Sequence, residues 1–210
     1  MRSENPIKDY DQDLVRTSIG EQQRHWDAKY ERGLPSLEIP DAFFLRCFDE
    51  VVAPAFPKGG TALDLAGGLG RHALVLARAR WQVALVDFSK AALRKVQAKA
   101  SKEALTLDTF HGEASSFPFK QDSFDLAVLF YHLERELFPL ISRALRPGGI
   151  FVSKLRIRWP ESETESRQEG LLERNELPAM LPGFRLLHHR ERKLEKDGVV
   201  ELLAKKNSQG

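Results

Sequence analysis

Between residues 61 and 157, short apolar runs of strand character alternate with stretches of helical spacing, and few folds accommodate that order. Thr61–Ala66 has strand character and Gly70–Arg80 helical spacing. Gln82–Asp87 is a second strand, after which Ser89 is placed to N-cap a helix running to about Ala104. Leu105–Phe110, with Thr106 and Thr109, is a third strand. Phe124–Phe130 (FDLAVLF) is an almost continuous apolar run, the pattern of a strand covered on both faces. Glu134–Leu145 follows as a helix, Arg146-Pro147-Gly148-Gly149 stops it, and Ile150–Ile157 is the next strand. Helices set between strands imply parallel pairs joined by crossovers, so the expected fold is α/β, a doubly wound and mostly parallel sheet with helices on both faces. Residues 160–170 (PESETESRQEG) have the polarity of a surface loop, and Glu173–Leu181 that of a short helix. Phe184–Arg192 and Val199–Lys205 then flank Glu195-Lys196-Asp197-Gly198. Asp-Gly is a strong turn signal, so the sheet should end in an antiparallel hairpin.

The segment ahead of the first strand is helical in pattern. In residues 20–31 (GEQQRHWDAKYE), Trp26 and Tyr30 stand four apart on one face. Asp41 is a candidate N-cap for a helix from Ala42 to Ala55, whose apolar residues at 43, 44, 47, 48, 51 and 52 have amphipathic spacing. The chain is therefore expected to be a single domain in which residues 1–60 form a helical extension or lid and 61–210 the core, with residues 1–19 a loose polar arm. Cys47 falls on the apolar stripe and is expected to be a buried, inert thiol. As the single cysteine it excludes an intramolecular disulfide and a Cys-rich zinc site. Lys+Arg (32) nearly balances Asp+Glu (30), which argues against a dedicated nucleic-acid binder, although a pI near 8.7 leaves room for a local basic patch. The start MRSENPIKDYDQD has no apolar h-region and no run of 18 apolar residues occurs, so a cytoplasmic protein without a membrane segment is expected.

The first strand runs into Asp64-Leu65-Ala66-Gly67-Gly68-Leu69-Gly70-Arg71-His72-Ala73. Glycines there let the backbone turn sharply and approach a ligand, and the following helix offers N–H groups and the positive end of its dipole. The carboxyl edge of a parallel sheet is where such folds bind ligands. Asp87 ends the next strand, where a carboxylate can accept hydrogen bonds from both hydroxyls of a ribose, so the ligand expected is a nucleoside derivative. The loop alone does not choose the nucleoside, because Gly68-x-Gly70-x-x-Ala73 also fits the dinucleotide fingerprint. No Gly-Lys-Ser/Thr follows it, which disfavours phosphate-loop chemistry.

The segments ALDLAGGLGRHALVLA, VALVDFSKAAL, GEASSFPFKQDSFDLAVLF and ISRALRPGGIFV together resemble the class I S-adenosylmethionine-dependent methyltransferases over about residues 61–157. WDAKY and LFPLISRALRPGG resemble the tellurite-resistance and thiopurine-type small-molecule branch. The resemblance implies a Rossmann-like sheet, S-adenosyl-L-methionine as cofactor and a small-molecule acceptor. It implies that Asp64 and Ala66, Gly67, Gly68 and Gly70 surround the methionine part. Asp87 would hold the ribose, with Phe88 beside the adenine. Glu113 would lie near the adenine amino group, with Ala114 supplying backbone contacts. Two departures are Ala66, where glycine is usual and where alanine is a mild variant as long as φ stays negative, and Glu113, where Asp is usual. Trp26 and Tyr30 could form a lid over the cofactor, or simply pack their helix on the sheet.

Methyl transfer is a direct displacement at a sulfonium carbon, so the protein must mainly align the reactants and exclude water. Groups around the methyl would come from Phe130-Tyr131-His132-Leu133-Glu134-Arg135. Tyr131 could face the sulfonium with its ring or hydroxyl, or simply wall the pocket. His132 could act as a base or lie at a helix start. Glu134 and Arg135 are expected to be a solvated helix start. The Asn/Asp-Pro-Pro-Tyr/Phe of amino-methyltransferases is missing, which disfavours acceptor nitrogens of bases or glutamine. Lys154, Arg156 and Arg158 could meet an anionic substrate or form a solvated strand edge. His188-His189 is not spaced as a metal pair, and no metal is expected. A nicotinamide-dependent oxidoreductase is the alternative enzyme, weakened because Tyr131-x-x-x-Arg135 lacks the lysine of Tyr-x-x-x-Lys. A non-catalytic cofactor-binding module of the same fold is the other. The acceptor and the oligomeric state are left open.

Overall fold

The computed structural model describes residues 19–159, 170–194 and 197–208. The N-terminal arm, most of the 160–170 loop and the turn residues 195 and 196 lie outside that range. In chain order the elements are α1 (Ile19–Arg32), α2 (Ala42–Cys47), α3 (Ala53–Ala55), β1 (Thr61–Leu65), α4 (Arg71–Arg78), β2 (Gln82–Asp87), α5 (Lys90–Lys102), β3 (Asp108–His111), β4 (Phe124–Phe130), α6 (Leu137–Ala144), β5 (Leu145–Ile157), α7 (Glu176–Ala179), β6 (Phe184–Lys193) and β7 (Gly198–Lys206). The strands form one sheet in the order β3-β2-β1-β4-β5-β7-β6. Five are parallel; β7 runs antiparallel between β5 and β6. The α/β, mostly parallel sheet with a C-terminal antiparallel hairpin is as expected.

Both faces of the sheet are covered. One core packs Phe43, Phe44, Phe48 and Val52 against Ala62, Val83, Leu126, Val128 and Phe130. The other packs Phe138 and Ile141 against Leu63, Leu129, Phe151 and Leu155. Burying each such side chain contributes about 1.5–3 kcal/mol, which explains why β4 is apolar at nearly every position. The helix expected over 42–55 is one continuous rod, α2 and α3 being joined by a π-helical stretch at Phe48–Val52 with Cys47 and Ala53 both in the right-handed helical region. Asp41 caps it, accepting from the Phe43 N–H at 2.8 Å. Cys47 is buried, and burial pushes its thiol up to about 12, as an inert thiol should be.

Several boundaries moved for local reasons. The helix expected from Glu134 begins at Leu137, which puts Pro139 in its first turn, where no N–H is needed. Residues 134–136 are instead a turn, and Arg135, exposed as expected, pairs with Glu176 at 2.6 Å. The strand expected from Leu105 begins at Asp108. Ala104, at φ 52°, closes α5 with a Leu105 N–H bond back to Ala100, and that closure consumes the first residues. The helix expected over 173–181 is only α7, and β5 starts at Leu145, taking in the Pro-Gly-Gly stretch with an irregular register against β4.

Candidate functional site

β1 and β4 are neighbours, while the chain leaves β1 towards β2 on the other side, so the carboxyl end of β1 is the topological switch point. The glycine loop lies there. Gly70 N–H donates to the Gly67 carbonyl at 2.9 Å, closing a turn that delivers the chain into α4. Gly68 has φ +54°, and a Cβ on it would sit 2.7 Å from the Tyr30 hydroxyl oxygen. Only glycine allows both that backbone and the approach of α1. Ala66 has φ +49°, which overturns the expectation of a negative φ: the loop holds an alanine in the left-handed region, a conformation that usually goes to glycine.

Two carboxylates support the loop from below. Asp64 is 1% exposed, and its Oδ2 accepts from the Ala73 N–H at 3.1 Å. Burial raises its pKa to about 7, against the opposing pull of the Ala73 N–H and of Arg71. Asp87, at the carboxyl end of β2, is buried, at 3% exposure. Its Oδ2 accepts from Gly68 N–H and its Oδ1 from Ser89 N–H, each at 2.8 Å. The carboxylate ties the glycine loop to the start of α5, so β2 ends inside the protein. Burial raises its pKa despite those two donors. Phe88 beside it is half-buried, Glu113 is exposed, and Ala114 is buried on the short turn that follows β3.

α1 lies along α5 and over the loop. The Trp26 and Tyr30 rings pack tilted at 31° with centroids 5.4 Å apart, and Tyr30 packs with Leu69 and Ala92. Asp27 accepts from the Ser89 hydroxyl and the Ala91 N–H, and Lys95 donates to the Tyr30 carbonyl at 2.6 Å. Each helix thus caps one end of the other.

On the β4 side, Phe130 and Tyr131 are both buried. Tyr131 has φ +58°, strained for an aromatic residue and held by its N–H to the Lys154 carbonyl at 2.8 Å. Its hydroxyl donates to Asp41 Oδ2 at 3.0 Å, so the ring alone remains to face a ligand. Burial, then the charge of Asp41, pushes the phenol's pKa up, which disqualifies it as a base. His132 is half-exposed, with Nε2 3.4 Å from Glu134. It is neither part of a helix start nor withdrawn from solvent. Lys154 is neither open to substrate nor a solvated edge: it is 8% exposed and ion-paired with Asp41 at 3.1 Å and Glu201 at 3.2 Å. Arg156 pairs with Asp197 and Arg158 with Glu173. His188 packs against Phe43 in a tilted ring contact, and among the described residues no cluster of His, Cys, Asp or Glu could hold a metal ion.

Sequence reasoning missed three contributors. Asp41 was read only as a cap, yet it also binds Tyr131 and Lys154. His72 is 2% exposed between Phe44 and Phe130, and its Nε2 accepts from the Asp41 N–H at 3.2 Å. Burial, with Arg71 and Lys154 nearby, holds it well below the usual histidine range, so it is neutral. Glu201 completes the cluster through Lys154 and Arg192. These partners lie up to 113 residues apart in the chain, beyond any spacing signal.

Residues 62–149 match the family model described as a methyltransferase domain. An uncharacterised protein of Mycobacterium tuberculosis is 30% identical over 115 residues, 48% of this chain and 42% of its own. A demethylmenaquinone methyltransferase of Bacillus licheniformis is 30% identical over 101 residues, 44% of this chain and 43% of its own. The match thus spans about two fifths of those curated relatives. Among solved structures, TehB from Haemophilus influenzae superposes with a TM-score of 0.70 over 89% of this chain and 67% of its own, at 15% identity, a likeness of fold.

Proposed function

We propose that the protein is an S-adenosylmethionine-dependent methyltransferase acting on a small-molecule acceptor. The observation that carries this reading is the glycine loop at the switch point, braced by Asp64 and Asp87 and roofed by α1, within the segment that matches a methyltransferase domain. The donor set suits the cofactor. Carboxylates at Asp87 and Glu113 are acceptors for ribose hydroxyls and an adenine amine, and Phe88 offers a ring edge to the base. Ala66, Gly67, Gly68 and Gly70 would border the amino-acid part with Asp64, and Ala114 and Phe130 would line the cavity. Trp26 and Tyr30 would exclude water from above. When bound, the cofactor supplies a methyl group on a good leaving group. Tyr131 would present its ring to the sulfonium side, with its hydroxyl anchored on Asp41. His132 is the one half-exposed candidate to take a proton from an acceptor that needs deprotonation. A small acceptor is in keeping with the relatives named for demethylmenaquinone. The tellurite-resistance and thiopurine-type placement rests on WDAKY, which lies on the roofing helix, and on LFPLISRALRPGG.

Calorimetry with S-adenosylmethionine, S-adenosylhomocysteine, NAD(H) and NADP(H) tests the cofactor. The first two should bind and the nicotinamides should not; tighter NAD binding would overturn the reading. A methyl-transfer screen should find turnover with small thiols, oxyanions or phenols. Labelling of bulk RNA with none of the small acceptors would reverse the substrate class, and binding without any turnover would favour a non-catalytic module.

A further inference from the structure

β6 (Phe184–Lys193, FRLLHHRERK) is the outermost strand of the sheet beyond β7, and it carries charge and open apolar surface together. It holds four cations, Arg185, Arg190, Arg192 and Lys193, against one carboxylate, Glu191. Glu191 is already committed, accepting from Arg174 Nε at 3.0 Å and from the Asn175 N–H at 2.6 Å, and Arg192 is paired with Glu201 at 2.9 Å. Arg185 and Arg190 are exposed, and among the described residues no carboxylate makes an ion pair with either. Arg46 of α2, also exposed, joins them: it lies 5.6 Å from the Phe43 ring, on which His188 of β6 packs, and its charge and that of Arg190 both act on His188. Among the described residues, the exposed acids of the rod, Asp49 and Glu50, form no ion pair with these three arginines. Leu186 and Leu187 are 41% and 38% exposed, two of the four large apolar side chains that lie open among the described residues. Successive residues of a regular strand face opposite sides, so one of an adjacent pair usually reaches the core. Here Leu186 pairs with Ala204 and His188 with Leu203, and the bulge between them leaves Leu187 without a partner on β7.

The chemistry of this edge selects its partner. Arginines on an edge strand repel a second β6, and a bulge breaks the ladder that strand addition needs. Charge alone would serve that protective purpose, but the two open leucines beside the arginines add apolar surface that gains by leaving water. Single-stranded nucleic acid is held by rings that stack on bases, and the rings of β6 are engaged: Phe184 against the core, His188 against Phe43 and His189 beside Glu191. Apolar side chains flanked by cations suit the boundary of an anionic bilayer, where leucine enters the acyl region and guanidinium binds phosphate. Arg185 to Arg190 spans roughly 17 Å of strand, so the two cations bracket the leucines. We propose that the β6 edge, Leu186 and Leu187 bracketed by Arg185 and Arg190 with Arg46 alongside, is a peripheral docking surface for an anionic phospholipid membrane. β6 runs in the same direction as β5, so the leucines lie towards the amino edge of the sheet, whereas the glycine loop lies at the carboxyl edge. Docking there leaves the candidate site uncovered, and the proposal does not depend on the cofactor reading.

Co-sedimentation of the full chain with vesicles tests this, using phosphatidylcholine alone and phosphatidylcholine mixed equally with phosphatidylglycerol. The unmodified chain should pellet with the anionic vesicles and not with the neutral ones, and added salt should release it. Arg185→Gln with Arg190→Gln should weaken that binding about tenfold or more, since each cation near an anionic surface contributes roughly fivefold. Leu186→Ser with Leu187→Ser should weaken it comparably at unchanged charge. Both double variants should melt close to the unmodified chain, because the four side chains are exposed. Leu187→Cys carrying an environment-sensitive fluorophore reads insertion directly, Cys47 being buried and so left unlabelled. Its emission should shift to the blue with anionic vesicles only, and this labelled chain decides the matter if a double variant melts early. No binding of the unmodified chain to anionic vesicles, equal binding to neutral ones, or binding that either well-folded double variant retains would overturn the proposal. So would a fluorophore that stays in water, or a single-stranded RNA oligonucleotide that binds through Arg185 and Arg190 while vesicles do not.

Discussion

Asp87 accepts two backbone hydrogen bonds inside the protein, and this couples any role in ligand binding to stability. Asp87→Ala leaves the Gly68 and Ser89 N–H groups buried without their partner, a cost of about 2–3 kcal/mol in the ligand-free protein. Chemical denaturation should show that loss alongside weakened S-adenosylhomocysteine binding; a loss of binding with unchanged stability would contradict the buried geometry. Asp87→Asn keeps an acceptor for one N–H and should lie between. Asp64 makes a separate prediction through pH. Its folded-state pKa, about 7, is above the ordinary 3.8, so the folded form holds its proton more tightly than the unfolded chain. The resulting contribution to stability is fully present below about pH 4 and is lost as pH rises towards 7. Asp64→Asn cannot ionise, so its stability relative to the unmodified protein should improve across that interval and level off above it. Unfolding free energies from pH 4 to 8 check this, and a difference that does not vary with pH would refute it.

The helices α1 and α5 clasp each other end to end: Asp27 stands at the head of α5, and Lys95 covers the last carbonyls of α1. Asp27→Ala removes one end of that clasp and should cost about 1 kcal/mol, the usual loss of a capping carboxylate. Amide exchange in residues 19–32 should accelerate more than exchange in β1 or β4, because the clasp that is lost lies on α1 itself. If α1 roofs the cofactor, S-adenosylhomocysteine should restore the protection. Uniform acceleration across the sheet would mean that α1 is an integral part of the core. The rod from Ala42 to Ala55 was legible as one helix from its apolar spacing, but its π-helical middle was not. A π turn changes the hydrogen-bond partner by a single residue and leaves no mark in composition.

Lys154 draws together elements distant in the chain: β5, which carries it; α2, through Asp41; and β7, through Glu201. Burial pushes the Glu201 carboxyl up, but Arg192 and Lys154 outweigh it and hold its pKa below the ordinary glutamate value. Lys154→Met would leave two buried carboxylates with one cation fewer, and breaking such a cluster costs about 3–5 kcal/mol. Because Asp41 also anchors Tyr131, the same change should release the Tyr131 hydroxyl and loosen the carboxyl end of β4. Thermal denaturation measures the first effect. Exchange of the Tyr131 amide, bonded to the Lys154 carbonyl, measures the second. A variant as stable as the unmodified protein would show that the cluster contributes nothing net.

The order of strands and helices, the glycine loop and the amphipathic rod were all legible in the chain, because each depends on period, on turn chemistry or on a cap within a few residues. The hairpin that ends the sheet was legible from Asp197-Gly198 and the two strand-like segments flanking residues 195–198, and β7 duly lies between β5 and β6. Residue types also placed Asp64, Asp87, Tyr131 and the Trp26–Tyr30 pair near one sheet edge. What they could not give was exposure and pairing. Whether Asp87 faces solvent or the loop's own N–H, and whether Lys154 is free or held, is decided by side chains that the fold brings in from elsewhere. Asp41 is separated from Tyr131 by 90 residues and from Lys154 by 113. Local sequence carries periodicity and turn signals over a few positions, whereas the energy of a buried charge depends on every group around it in space. The tertiary structure therefore alone decided that Lys154 is spoken for.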